Sequence, residues 1–457
     1  MHQLNRRRSS WKGARWPVIL VTLALIAAAC GGADSTSTTA EASGTTAAGE
    51  TTAAGETTAA GETTAAGERP FEGVTLQFAK APHGEDEAEL MAEWLAPFEE
   101  ETGITVEHTI VPWDQLEAIY SANFAGDDVF DVMYQVSTHL TLFGDRGAFE
   151  DVTTLFSDWE DRARVPDSIV NASVYKDALY GVPVIIGTIV MFVNMDLLAA
   201  AGITEIPTTT DELIAAAKAV QTDDVWGFYT PTTVGDFGWY FNLQNIHNFG
   251  GDIISDDFSA TTIDSEAVQQ ATQYAVDLIC NEKVQPPLGQ YDREGGIELF
   301  KAGKLAFLLD EPLRVEVFQE EGLPFEWDIA QPVGAPDGTQ TQFSTTGHWS
   351  IGAKSDNKDA AWELVKYLSG QEFMTVFNER FGFVPARDDV DVTGGNELLA
   401  KNFEWAMTTW DGLVTHPKIS QILDEYAQAL EAATTCDTPV DQALADAQAR
   451  ATEVLGQ

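Results

Sequence analysis

The chain is poor in positive charge, in cysteine and, beyond Ala29, in long apolar runs. Only 25 Lys+Arg stand against 72 Asp+Glu, a formal charge of −47. A surface of that sign repels phosphate backbones and anionic headgroups, which excludes nucleic acid and the membrane surface as partners. Three cysteines, Cys30, Cys280 and Cys436, are too few for a disulfide scaffold and stand in no CxxC or metal-ligand spacing. The histidines occur singly. No HExxH, G-x-S-x-G, GxxxxGKS/T or G-x-G-x-x-G pattern is present, so the usual signatures of zinc proteases, serine hydrolases and nucleotide binders are missing. No cofactor or metal is expected. Paired carboxylates arise by chance among 72 acids, which leaves a secreted glycoside hydrolase as one alternative.

What the chain does contain begins with an export signal. Arg6, Arg7, Arg8, Lys12 and Arg15 precede an apolar stretch over 16–29, too short to span a bilayer comfortably. From Gly31 to Glu68 there is no aromatic and no branched aliphatic residue, and TTAAGE recurs from Thr45, Thr51, Thr57 and Thr63. Nothing there can build a core, so 30–70 reads as a flexible tether of roughly 35 Å root-mean-square span. Ala27-Ala28-Ala29-Cys30-Gly31-Gly32 resembles a bacterial lipobox, with Ala27 in place of the usual leucine. The resemblance implies that 1–29 is removed and that Cys30 is acylated. Two acyl chains would anchor the protein stably to the outer face of the cytoplasmic membrane. Processing leaves 20 Lys+Arg against 72 Asp+Glu, a charge of −52. It also leaves Cys280 and Cys436, an even pair that can bridge outside the cytoplasm; spacing alone leaves the pairing open.

After Glu68, 389 residues remain, more than one core usually serves, so two domains are expected. Apolar alternation at 74–78 predicts a strand, and Leu90, Met91, Trp94, Leu95 and Phe98 predict a helix over about 85–102, ended by Gly103. A strand at 104–111, a helix at about 113–125 and a strand at 129–134 complete a βαβαβ rhythm, which means parallel strands with helices on their faces. Extended segments follow around Gly187. Thr209 and Glu212 form a capping box for a helix over 208–220. Another amphipathic helix is expected at 359–368, and two Ala-rich helices over 420–455, split at 437–439.

An ordered series of segments resembles the extracellular solute-binding proteins of ABC importers, specifically the maltose-binding-protein-like family. The series runs through 98–106, 126–132, 147–152, 178–183, 193–198 and 201–213, then Gly250-Gly-Asp252, 300–307 and 357–362. The resemblance implies a periplasmic-binding-protein-like α/β fold of type II. Two lobes would be joined by crossover strands at 184–187, 306–310 and 351–354, with extra C-terminal helices. Lobe one would be 71–184 plus 311–350, and lobe two 188–308 plus 354–457. It further implies a monomeric receptor that closes over a sugar and delivers it to a permease pair driven by a cytoplasmic ATPase. The runner-up ligand is a polyamine or other cationic solute, clamped by Glu85, Asp86, Asp236, Asp310 and Glu311.

Binding sites of open α/β lobes lie at the carboxyl ends of strands. His83, Glu85 and Asp86 after the first strand, and Gln135, Ser137 and Thr138 after the third, are therefore candidate ligand contacts. Sugars offer C–H faces to rings and hydroxyls to carboxylates, which adds Asp236, Trp239 and Tyr240 on a glycine-rich segment. Glu311 and Arg314 flank Leu313, which stands where relatives carry the tryptophan of a G-P-W motif. Trp349 and Trp410 complete the candidate set.

Overall fold

A computed structural model describes residues 69–456 except 85, 127–128, 256 and 392–395, together with the backbone but not the side chain of 410. The chain divides into residues 1–66 and a compact unit of 67–457. The signal segment, Cys30 and the TTAAGE repeats lie outside the described residues, as does Glu85. Among the described residues no helix is long and apolar enough to cross a membrane.

Two sheets organise the compact unit. In the first, Thr75–Lys80 pairs in parallel with Thr105–Ile110 and with Val132–Val136. The long strand Gln342–Ile351 runs antiparallel between Val132–Val136 and Val182–Thr188. In the second, Val190–Asn194 lies antiparallel between Trp327–Ala330 and Leu305–Asp310, and Trp226–Tyr229 adds in parallel to the latter. Successive residues of a strand point to opposite faces. Val190 and Phe192 accordingly pack with Phe300 and Phe318 on one side, while Met191 and Val193 pack on the other with helices Thr210–Val220, Gly238–Asn248 and Ile419–Thr434. In the first sheet, Leu76 and Phe78 face helices Glu87–Thr102, Lys358–Leu368 and Gln371–Phe381, and Ala79 and Met133 face Leu116, Tyr120 and Phe143.

Helix ends follow their local chemistry. Gly103, at φ 78°, turns the chain left-handed after Glu87–Thr102 and donates its N–H to Glu99 O. The box at Thr209 and Glu212 forms, the threonine hydroxyl accepting from Glu212 N. The C-terminal pair divides into Ile419–Thr434 and Val440–Leu455, the second opened by Pro439. Cys280 and Cys436 are bonded, their Cα atoms 5.6 Å apart, and tie the end of that hairpin to the segment Asp277–Asn281.

The expected lobe boundaries need correction. Residues 311–341 belong with the second sheet, because Val315 and Phe318 pack on Phe192 and Trp327–Ala330 pairs with Val190–Asn194. Residues 354–381 belong largely with the first, because Ala361, Leu364, Leu368 and Phe377 share its core. The crossovers move accordingly. One lies at Ile189, between strands of different sheets, with Ile189 O accepting from Gln342 Nε2 at 2.6 Å. A second lies near Phe343, which joins the second core while its own strand enters the first sheet. Leu305–Asp310 is an inner strand of the second sheet. Gly352 and Ala353 donate to Asp131 O and Ala148 O in the first lobe, so neither 306–310 nor 351–354 crosses.

Candidate functional site

On the first lobe, the loop after Thr75–Lys80 is folded over a buried charge. Lys80 is fully buried, ion-paired with Glu87, and its Nζ donates to Ala81 O at 2.8 Å and meets His83 Nδ1 at 2.7 Å. The ammonium also lies over the rings of Tyr134 (5.1 Å) and Phe377 (5.3 Å). Burial pulls the Lys80 pKa down, against the opposing pull of Glu87. Burial pushes the Glu87 carboxyl up, yet Lys80 and His83 outweigh it and hold that carboxyl below its usual range. The His83 backbone N–H donates to Glu87, tying His83 to the start of helix Glu87–Thr102.

That arrangement corrects the role expected of His83. Its ring is closed in by Trp113, Tyr134 and Phe383, with centroids 5.5, 5.2 and 4.8 Å away. Burial, then the Lys80 charge, lower its pKa to about 4, so it is a neutral strut of the loop. Three more expected contacts sit inside the first lobe. Gln135 is fully buried, Thr138 is buried, and Ser137 Oγ meets Thr346 Oγ1 at 2.8 Å. Trp349 is likewise core: it is 1% exposed and its Nε1 donates to Leu368 O. Asp86 remains open at the loop, accepting from Arg380 Nη2 at 2.9 Å.

The second wall rises from the carboxyl ends of Trp226–Tyr229 and Leu305–Asp310, which run in parallel and so open on the same side. The loop 230–237 folds back tightly on helix Gly238–Asn248. A Cβ at Gly238 would stand 2.5 Å from the Thr232 carbonyl carbon, so only glycine fits there. Asp236 accepts from Thr233 Oγ1 at 2.8 Å, and Trp239 is half-buried with its ring edge-on to Tyr240 at 5.9 Å. Tyr240 is buried and reaches the first crossover: a Cβ at Gly187 would lie 3.8 Å from its hydroxyl.

Below these rings lies a charge network that sequence reasoning missed in part. Arg293, at the start of helix Arg293–Lys301, donates from Nη2 to Asp310 Oδ1 (2.5 Å) and Glu311 Oε2 (2.8 Å), and from Nε to Asp310 Oδ2 (3.1 Å). Its guanidinium also covers the Phe241 ring at 5.1 Å. Burial works against its charge, but Asp310 and Glu311 hold it protonated well above the usual guanidinium value. Arg314 donates to Glu294 at 2.7 Å and stands 3.9 Å from Asp310.

The two walls meet at Glu311. Burial and then the charges of Glu87 and Glu311 push up the Tyr134 phenol on the first lobe, and burial and then Glu311 push up Tyr240 on the second. The Glu311–Pro312 turn touches the first lobe directly, since a Cβ at Gly382 would lie 2.9 Å from Pro312 O. The structure thus places Tyr240 and Glu311 at the lobe junction, with Asp236, Trp239 and Arg314 on the second lobe and Asp86 on the first. It withdraws His83, Gln135, Ser137, Thr138 and Trp349 into the packing. Trp410 is placed only by its backbone, which pairs with Gln342. A cation clamp loses Asp310, which is fully buried with both oxygens on Arg293, while Glu311 commits one oxygen to Arg293. The residues missed were Lys80, Glu87 and Arg293. With so few basic residues in the chain, Asp292-Arg293-Glu294 beside a helix start was the available signal.

A separate groove of about 1070 Å³ lies within the second lobe, lined by Asp211, Phe249, Gln273, Tyr274 and Asp441 among others. It contains none of the residues gathered at the junction. Among the described residues no His/Cys/Asp/Glu group is arranged to hold a metal ion.

Comparison with known proteins agrees with this architecture. A binding protein of Brucella abortus (strain 2308) is 25% identical over 363 residues, covering 78% of this chain and 87% of that one. A maltooligosaccharide ABC transporter solute-binding lipoprotein of Streptococcus pneumoniae is 23% identical over 304 residues, covering 64% of this chain and 68% of that one. An ABC transporter solute-binding protein of Thermotoga lettingae, solved with α-D-tagatose, superposes with a TM-score of 0.74 at 20% identity, covering 84% of this chain and 100% of that one. The family model described as bacterial extracellular solute-binding protein matches residues 81–374, well over half of the chain. With that match over both lobes, the chain belongs to the bacterial extracellular solute-binding proteins.

Proposed function

We propose that the protein is the receptor of an ABC importer for a carbohydrate, tethered outside the cytoplasmic membrane through acylated Cys30. The observation that carries this reading is the meeting of both lobes at the Glu311–Pro312 turn, where Tyr134 of the first lobe and Tyr240 of the second both feel the Glu311 charge. Trp239 offers a ring face of the kind that packs on sugar C–H groups, while Asp86, Asp236 and Glu311 offer acceptors for hydroxyls. Relatives named for maltooligosaccharide and solved with tagatose support a sugar cargo. Crossovers at Ile189 and near Phe343 let the lobes close on the ligand, and the closed form would be the one the permease recognises. The 30–70 tether keeps the receptor near that permease. The role is capture and delivery without turnover.

Thermal unfolding with maltose, D-glucose, D-tagatose and spermidine tests the reading. Binding to the folded form alone stabilises by about 2.7 kcal/mol at a ligand concentration of 100 Kd, visible as a rise in Tm. A rise with at least one sugar is expected. A rise with spermidine and with no sugar would overturn the carbohydrate cargo. Release of cleavage products from maltose would overturn the receptor role.

A further inference from the structure

The carboxylates of the second wall differ in their freedom. Asp310 is fully buried and both of its oxygens accept from Arg293. Glu311 is partly exposed and commits only Oε2 to Arg293; among the described residues no protein donor meets its Oε1. It stands two residues before Leu313, which offers no ring, on the turn that touches the first lobe. A carboxylate with one oxygen clamped and one free is a fixed acceptor, since the clamp removes the rotamer freedom that binding would otherwise have to freeze.

The charges around it are spent. Arg293 is shared by Asp310 and Glu311, and Arg314 by Glu294 and Asp310. On the first lobe Lys80 is sealed against Glu87 and Arg380 is paired with Asp86. Each of these cations therefore already has a carboxylate partner, and an anion brought to Glu311 would meet its charge without a free countercharge.

We infer that Glu311 is a specificity-determining ligand contact, accepting hydrogen bonds from ligand hydroxyls through Oε1 while Arg293 positions it. The wall thereby takes neutral polyhydroxylated ligands and rejects carboxylated or phosphorylated ones. The inference rests on the carbohydrate reading above and specifies its chemistry. Arg293 acts through Glu311 and is a positioning residue.

Calorimetric titration of the full chain tests it, using maltose, D-glucose and D-tagatose, with D-glucuronate and glucose 6-phosphate as anionic counterparts. Glu311→Gln keeps the shape and removes the charge, and should weaken the best neutral sugar about 10- to 100-fold while leaving Tm within a few degrees. Arg293→Lys keeps a cation but not the fork that spans both acids, and should weaken the same sugar in the wild-type Glu311 background. Combined with Glu311→Gln it should cost little further affinity, a non-additivity that a merely structural arginine would not give. Unchanged affinity in Glu311→Gln, or an anionic sugar bound as tightly as its neutral counterpart, would overturn the inference while leaving the sugar receptor standing. No binding of any sugar by the wild-type chain would overturn both.

Discussion

At the scale of single residues, the least expected feature is a fully buried lysine beneath the loop that follows Thr75–Lys80. Taking Lys80 and Glu87 out of water is expensive, and their attraction recovers that cost only through close geometry and further hydrogen bonds. Ala81 O and His83 supply those bonds, so the pair and the loop depend on each other. Replacing Lys80 by Met would leave Glu87 charged, buried and without its cation. Urea unfolding should find Lys80→Met less stable by about 3–5 kcal/mol, and the double replacement with Glu87→Leu should regain much of the loss. Equal stability of Lys80→Met and wild type would mean the pair is not what holds the loop. The sequence could place His83 at a strand end but not tell which side of the loop it faced. Enclosure by Trp113, Tyr134 and Phe383 comes from three separate segments, a tertiary property with no local signature.

At the scale of elements, the Cys280–Cys436 bond joins partners 156 residues apart and clips the C-terminal hairpin to the second lobe. Closing so long a loop restricts the unfolded chain strongly. The double replacement Cys280→Ser, Cys436→Ser should lower stability by about 2–5 kcal/mol. Its thermal unfolding should no longer respond to reductant, whereas wild type should unfold earlier under dithiothreitol. A wild-type Tm indifferent to reductant would contradict this. Several helix boundaries were readable in advance: the capping box at Thr209, the stop at Gly103 and the break before Pro439 are local signals, and helices start or stop there. Strand membership was not readable. Val182–Thr188 and Val190–Asn194 look alike as apolar runs, yet a single residue between them carries the chain from one sheet to the other. Helices Gln371–Phe381 and Glu397–Thr409 were not anticipated at all, and the first of these brings Phe377 and Phe381 to the Lys80 site.

At the scale of the whole molecule, two electrostatic effects oppose each other as pH falls. Burial first, with Lys80 adding to it at His83 and His108, holds His83, His108 and His139 at about 4, and burial holds His348 at about 3. Their unfolded value is near 6.5. A histidine whose folded pKa is depressed binds its proton first in the unfolded chain, so its contribution is complete above about pH 6.5 and is lost on descending towards 4. Glu87, also depressed, loses its contribution below its unfolded value of 4.5. Against this, acid neutralises part of a −47 charge and relieves the repulsion of the compact state. The repulsion is long-ranged and is screened within about 3 Å at 1 M salt, whereas protonation of a buried imidazole is hardly screened. In high salt, then, Tm should fall steadily from pH 7 to pH 5, with each of these histidines contributing up to about 2 kcal/mol over that range. At low salt the same descent should be shallower, because relief of repulsion offsets it. His139, packed at 6.0 Å from the Phe143 ring, makes the cleanest probe. His139→Leu removes one titrating group, and its high-salt pH slope should be flatter than wild type by that share. Parallel slopes for the two proteins would place the acid sensitivity in the carboxylates instead.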